Sequence, residues 1–255
     1  MISMNGSTDV DNNELKNAEW KVRTKLAAAY RLVALFGWDD LVFTHLSARV
    51  PGPEHYFLIN PYGLLFHEIT ASSLVKVDRE GNVVQAGGLD RVNPAGFTIH
   101  SAVHMGRDNA GAVMHVHAAD SVAVSAHKDG LLPLSQTAML CLGHIAYHDY
   151  EGVALNQDER ERLIRDIGDK TMMILRNHGI LTAGETVPET FTYLYFFMKA
   201  AEIQVKALGC GPTQMPSQEA IETTREQSQS LGKISALTWP ALMRLLDSKN
   251  PGYAV

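Results

Sequence analysis

Two imidazoles stand two residues apart in the stretch V-M-H-V-H-A-A, at His115 and His117, and a third precedes a glycine in R-N-H-G, at His178. Side chains on a strand alternate between faces, so His115 and His117 point the same way, with Cα atoms about 7 Å apart at a rise of ~3.3 Å per residue. That separation lets both rings converge on one ion while Val116 turns into the core. Neutral imidazole is a common ligand for zinc and suits other first-row divalent metals. A catalytic zinc typically takes three protein ligands and keeps one position open. His178 follows a different buried strand, and Gly179 after it permits a tight turn, so two neighbouring strands would bring the three rings together. The same residues also read as core histidines satisfied by backbone carbonyls. Burying two imidazoles on one strand is costly without partners, and spacing alone leaves both readings open.

The elements around these histidines follow from hydrophobic periodicity. Residues 14–36 carry Trp20, Val22, Leu26, Tyr30, Leu32, Val33 and Phe36 mainly at three- and four-residue spacings, a helix that Gly37 ends. The runs L-V-F-T-H-L-S-A-R-V, H-Y-F-L-I-N-P, L-V-K-V-D and N-V-V, punctuated by Gly and Pro, read as strands of an antiparallel sheet. Residues 97–105 predict a helix after Pro94, with His100 and His104 on one face. G-A-V-M-H-V-H and T-M-M-I-L read as buried strands, and A-D-S-V-A-V-S-A-H as a helix stopped by K-D-G. Residues 156–167 predict a charged surface helix capped by Asn156. Thr186, Pro188 and Glu189 form a capping-box start for the longest apolar helix, running to about Leu208. Residues 216–231 predict a polar helix, and the tail around Trp239 an amphipathic piece interrupted by Pro240. The whole is expected to be α/β: a single-domain three-layer α/β/α arrangement around a central, mainly antiparallel sheet. Residues 1–13 read as a disordered leader, 14–209 as the domain, and 210–255 as a helical extension packed on the domain or on a neighbouring subunit.

Composition narrows the function classes. The 255 residues are 45% hydrophobic and 20% charged, ordinary values for a chain that buries a core. A net charge of -6 and the lack of a Lys/Arg-rich run argue against a nucleic-acid surface. Cys141 and Cys210 are too few for a disulfide scaffold and fit a reduced, cytoplasmic setting. The start has neither a basic n-region nor an apolar h-region, and no stretch approaches the ~20 apolar residues that span a bilayer. A soluble protein without a membrane partner is expected.

Several stretches resemble the class II aldolase/adducin family, and its adducin-like branch most. They are M-H-V-H-A-A-D-S-V-A-V-S-A, L-P-L-S-Q-T-A-M-L, A-Y-H-D-Y-E-G and I-L-R-N-H-G-I-L-T-A-G-E-T-V-P-E-T-F. F-T-H-L-S-A-R-V, I-N-P-Y-G-L-L-F and N-P-A-G-F-T-I-H-S-A-V-H extend the likeness, so that it covers residues 18–209. The resemblance implies a class II aldolase-like fold in which His115, His117 and His178 hold a divalent metal. Zinc is the expected ion, with Mn2+, Co2+ or Fe2+ as alternatives. It also implies a homo-oligomer, a tetramer, for which the helix at 186–208 and the tail around Trp239 offer packing surfaces.

The chain departs from the family's aldolases where these supply an acid/base and grip a phosphate. The carboxylate position is Gly96, and the two serines before it are Pro94 and Ala95. The Gly-Asn-(Ile/Val)-Ser turn is Thr44-His45-Leu46-Ser47, and the Thr-Gly pair is Tyr62-Gly63. Proline has no N–H and alanine no hydroxyl to offer a phosphate. His45, His100, His104 and Tyr253 are the candidates for the missing proton carrier, Tyr253 by reaching a neighbouring subunit's site. Tyr147, His148, Asp149 and Tyr150 suggest a structural or subunit-contact patch, Glu189 a cap, and Glu202 a polar helix face. The expected function is a divalent-metal-dependent lyase, of retro-aldol or decarboxylase type, acting through a metal-stabilised enolate. Its substrate would be a small, non-phosphorylated oxo- or hydroxy-acid or carbonyl compound. The alternatives are a non-catalytic adducin-like interaction module that keeps the fold and metal site, and, more remotely, a non-haem iron oxygenase.

Overall fold

The computed structural model describes residues 12–89, 91–152 and 158–255. The leader expected at the N-terminus therefore falls almost wholly outside the described residues, as does Asn156.

One strand explains the layering. Along β5 (Ala112–Val116) every residue is buried, so both faces of the sheet at this point need a cover. Ala112, Met114 and Val116 join one core with Leu26 and Tyr30 of α1 (Asn12–Leu35) and Phe191 and Phe197 of α6 (Val187–Gly209). Val113, between them, joins a second core with Ile99 and Val103 of α2 (Pro94–Gly106) and Leu163 and Ile167 of α5 (Glu159–Ile167). Alternation at period two thus splits a continuous apolar run between two helical layers.

Among the described residues the sheet has eight strands, in the order β4-β3-β2-β1-β5-β8-β7-β6. They are β1 (His45–Arg49), β2 (Phe57–Ile59), β3 (Val75–Val77), β4 (Val83–Gln85), β5, β6 (Ile145–His148), β7 (Met172–Leu175) and β8 (Gly179–Gly184). Every pairing is antiparallel except β6 with β7. The α/β class and the mainly antiparallel sheet are as the sequence predicted. The remaining α-helices among the described residues are α3 (Ala119–Ala126), α4 (Gln136–Leu142), α7 (Gln218–Gln227) and α8 (Ser235–Lys249).

Three local readings change. The strand beside β5 is β8, formed by G-I-L-T-A-G after the R-N-H-G turn, and not the T-M-M-I-L strand before it. Two glycines and a threonine hid its strand pattern, and its burial on both faces removed the alternation. Pro240 does not interrupt the tail, because α8 runs through it; the proline lacks one N–H, and Arg244 Nη1 donates to its carbonyl at 3.1 Å. Trp239 is 9% exposed and packs edge-on against Phe191, so the large apolar side chains that α8 still shows to solvent are Leu237 and Leu245.

A buried tyrosine ties α1 to the strand that matters for the site. The Tyr30 hydroxyl accepts from Leu46 N at 2.7 Å and Asn60 N at 3.1 Å, and donates to Asn60 Oδ1 at 2.8 Å. It fixes the middle of β1 next to His45. Thr44, just before, takes a left-handed conformation at φ +66°, so His45 opens a strand instead of lying in a turn.

Candidate metal centre

The register places the histidines. His45 of β1 lies opposite His115 of β5, and Val116 lies opposite Ile180 of β8. His117 follows the end of β5, and His178 sits in the turn between β7 and β8. That turn is tight: Asn177 is left-handed at φ +57°, and His178 N donates to Leu175 O at 3.1 Å. The three imidazoles meet there. One ligand nitrogen from each of His115, His117 and His178 lies within 4.8 Å of the others. His117 Nε2 is 2.9 Å from both His115 Nε2 and His178 Nε2.

The far nitrogens decide what this cluster can hold. His115 Nδ1–H donates to the Ile180 carbonyl at 2.9 Å, and His117 Nδ1–H donates to Asp40 Oδ2 at 3.1 Å. With its proton at Nδ1, a neutral imidazole in either place turns a bare Nε2 lone pair inward, and facing lone pairs repel unless a cation lies between them. The donor set fits a borderline divalent metal. Two nitrogens on one tetrahedral ion at bonds of ~2.0–2.1 Å stand about 3.3 Å apart, so the cluster would open by a few tenths of an ångström.

Burial keeps His115 and His178 neutral. Burial, followed by the neighbouring imidazoles, pushes His115 well below the usual histidine value. Burial and His117 bring His178 to about 4, and burial brings His104 to about 4 and His45 to about 3. The unfolded chain takes up these protons below a pH of about 6.5 while the folded chain does not, so folding loses stability as pH falls. One ring held neutral to about 4 costs on the order of 3 kcal/mol by that pH. The urea midpoint of metal-free protein is expected to be level above pH ~7 and to fall steeply between ~6.5 and ~4. A level profile across that window would contradict the buried, neutral state.

A second polar cluster adjoins the first. His45 Nδ1 is 3.0 Å from His100 Nε2, and Ser47 Oγ lies 2.6 Å from His100 Nδ1 and 2.7 Å from His104 Nε2. His104 Nδ1 is 2.8 Å from the Ala110 carbonyl. All four side chains are at most 4% exposed. His45 and His115 stack obliquely with centroids 5.5 Å apart, which joins the two clusters. Tyr253 is not brought to them within its own chain: its hydroxyl donates to Asp247 at 2.9 Å and its carbonyl accepts from Ala71 N at 2.8 Å.

The other polar residues have local structural partners. Thr186 accepts from Glu189 N at 3.3 Å and caps α6, while Glu189 accepts from Glu185 N and from the Tyr193 hydroxyl. Glu202 pairs with Lys199 and Lys206. In the Tyr147–Tyr150 patch, His148 Nδ1–H donates to Asp166 at 2.7 Å and Tyr147 lies under Arg176. Sequence reasoning did not single out Asp40, which orients His117 from 77 positions away, nor the role of Ser47 as a link between two histidines. The one signal for Asp40 was an acidic pair, Asp39-Asp40, in the loop after a helix stop. Among the described residues no helix is long and apolar enough to cross a membrane.

A sequence profile described as Class II Aldolase and Adducin N-terminal domain matches residues 24–205. A Caulobacter vibrioides protein named "Putative aldolase class 2 protein" is 53% identical, with 94% of this chain and 95% of that one covered. Alpha-adducin from Rattus norvegicus is 42% identical over 95% of this chain, which spans 35% of that protein. Among solved structures, an aldolase II superfamily protein from Pseudomonas syringae superposes with a TM-score of 0.90 at 49% identity, covering 93% of this chain and 96% of that one. L-fuculose 1-phosphate aldolase from Glaciozyma antarctica PI12 gives a TM-score of 0.81 at 27% identity, covering 92% and 94%.

Proposed function

The chain belongs to the class II aldolase and adducin family, and from that premise we propose that it is a metal-dependent carbon–carbon lyase. The observation that carries this reading is the convergence of three imidazoles, two of which, His115 and His117, have far nitrogens fixed so that their Nε2 lone pairs face the cluster. A divalent ion, zinc in this proposal, supplies a Lewis acid that polarises a substrate carbonyl. The protein's own part is to hold His115 and His117 in one tautomer through Ile180 and Asp40, and to keep His115 and His178 unprotonated through burial.

The substrate in this reading is a small oxo- or hydroxy-acid or carbonyl compound without a phosphate. Ser47, a hydroxyl in the segment that would grip a phosphate, is 1% exposed and shared between His100 and His104. It has no freedom to turn to an anion. The likeness to alpha-adducin over 95% of the chain supports a second reading, a non-catalytic interaction module with the same fold. The homotetramer is proposed with either reading, supported by Leu237 at 79% exposure and Leu245 on the outer side of α8.

One assay separates the two functions. Zinc-loaded protein is expected to release pyruvate or carbon dioxide from a panel of γ-hydroxy-α-oxo acids and α-oxo acids. Metal uptake without turnover on any member of the panel would favour the interaction module. The absence of metal after purification and reconstitution would overturn the lyase.

A further inference from the structure

The inner side of α8 is fixed to the domain. Trp239 packs edge-on against Phe191, and Leu246 is fully buried. Beyond the helix, Arg31 Nη1 donates to Asn250 Oδ1 at 3.0 Å, and Ser72 N donates to the Val255 carbonyl at 2.9 Å. The outer side is therefore a standing surface and not a fraying end. On it the exposed residues Ile234, Leu237, Ala241 and Leu245 recur at spacings of three and four, one apolar stripe. Leu237 projects furthest, at 79% exposure. The helix before it, α7, instead shows Glu219, Glu222, Arg225 and Glu226 to solvent.

Ile234, Ala241 and Leu245 also line a groove of about 440 Å³, together with the rings of Phe36, Tyr195 and Phe196. The groove follows the chain from Ile234 to Leu245, about 16 Å at ~1.5 Å per residue, which is the length of a helix segment and not of a small metabolite. Its two threonine hydroxyls are turned back onto their own helices: Thr192 donates to Pro188 O at 2.9 Å and Thr238 to Ile234 O at 3.3 Å. No charged residue lines it. The chain has 28 acidic residues and a net charge of -6, yet none of those acids falls between Ser228 and Leu246. Repulsion between two copies of an acidic chain is weakest across such a face.

A projecting leucine with an alanine one turn on, beside a groove, is complementary to its own copy turned about a two-fold axis. We propose that the outer face of α8 and its groove are where two copies of this chain associate, with Leu237 of each protomer seated over Ala241 of the partner subunit. This gives a geometry to the homo-oligomer proposed above and rests on it. One antiparallel crossing satisfies the whole stripe. With Leu237 opposite Ala241 of the partner subunit, Ile234 comes within about one residue of Leu245 of the partner subunit, so large side chains meet small ones at the centre and apolar ones at both ends. A parallel crossing would set the two most exposed leucines against each other. The antiparallel register also carries Lys233 toward Arg244 of the partner subunit at the rim, so apolar burial holds the contact against a weak like-charge repulsion.

Sedimentation of the full chain at micromolar concentration tests the contact. Wild-type protein is expected to sediment as a multiple of two chains. Leu237→Glu and Ala241→Glu should each sediment at half the wild-type mass, because a carboxylate buried against leucine and alanine weakens association at least ~100-fold. Both positions are exposed in the single chain, so circular dichroism and zinc uptake should stay at wild-type values, which separates a lost contact from a lost fold. Met215→Glu is the control: Met215 is 44% exposed and lies outside the stripe, and its replacement should leave the mass unchanged. Added salt should tighten the association by screening the rim cations. If Leu237→Glu and Ala241→Glu both keep the wild-type mass, the α8 contact is overturned while the homo-oligomer stands on another face. A wild-type protein that is monomeric at ~100 μM overturns both. Saturable binding of an anilinonaphthalene sulfonate to such a monomer, lost in Ala241→Glu, would assign the groove to a small apolar ligand instead.

Discussion

Wild-type protein is expected to hold about one divalent ion per chain, and His115→Ala or His178→Ala to hold none. The three rings offer one nitrogen each, and a site that is reduced to two imidazoles has lost a third of its donors. The expected loss of affinity exceeds the ~10–100-fold that follows from disturbing a residue that merely orients a ligand. Asp40→Asn is the matched smaller change, because asparagine can still accept from His117 Nδ1–H but without the charge. The two ligand variants differ usefully. His115 is 1% exposed and bonded to Ile180, so its removal also opens a cavity, whereas His178 sits half-buried in a turn and its loss is easier for the fold to bear. Metal binding itself stabilises the native state, by about 4 kcal/mol when zinc stands at 1,000 times its Kd. For a chain of this size that raises the melting temperature by roughly 10 °C. Zinc should produce this shift in the wild type and none in His178→Ala, with elemental analysis as the parallel measurement. A His178→Ala protein that keeps stoichiometric metal would remove the three-histidine site.

How much of this site the sequence disclosed depends on the distance over which each contact acts. His115 and His117 were legible as a pair because strand geometry alone puts residues i and i+2 on one face. His178 was legible as a partner, but its placement was wrong in one respect. It stands in a β7–β8 hairpin whose second strand, and not its first, borders β5. That neighbour is set by sheet order, which no local pattern encodes. His100 and His104 could be placed on one helix face by their four-residue spacing. That Ser47 would stand between them followed only from packing α2 against β1, and that His45 would meet His115 only from the strand register. Asp40 lies in a loop, where neither period operates, and its contact crosses 77 positions. The departure at Gly96 was visible as a missing carboxylate, while the imbalance it leaves is filled by a ring 51 residues earlier in the chain, counting from Gly96 back to His45.

Gly179→Ala is expected to weaken the fold and the metal site together. The residue opens β8 at φ +158°, and a Cβ there would lie 2.5 Å from the Val116 carbonyl oxygen and 3.4 Å from His117 Cδ2. The first contact is with backbone, which cannot swing aside as a side chain would. Val116 pairs with Ile180 in the β5–β8 ladder, so relief requires moving the end of β5, which carries His117, or the turn that carries His178. Both movements separate metal ligands. Overpacking costs typically ~1–3 kcal/mol and an unfavourable backbone conformation a similar amount, so a loss of roughly 2–4 kcal/mol is expected from urea unfolding of the metal-free protein. The zinc affinity should fall at least ~10-fold, since a ligand set displaced by a few tenths of an ångström loses part of its preorganisation. Gly209→Ala is the control: nothing lies within 4 Å of its added Cβ, and it closes α6 far from the hairpin. There alanine's better helix propensity should leave stability equal or raised by up to ~1 kcal/mol, with zinc affinity unchanged. If Gly179→Ala matched that control in both measurements, the close approach of β8 to Val116 would not be what holds His178 against His117. If it lost stability but kept its zinc affinity, the turn would carry His178 independently of the strand that follows it.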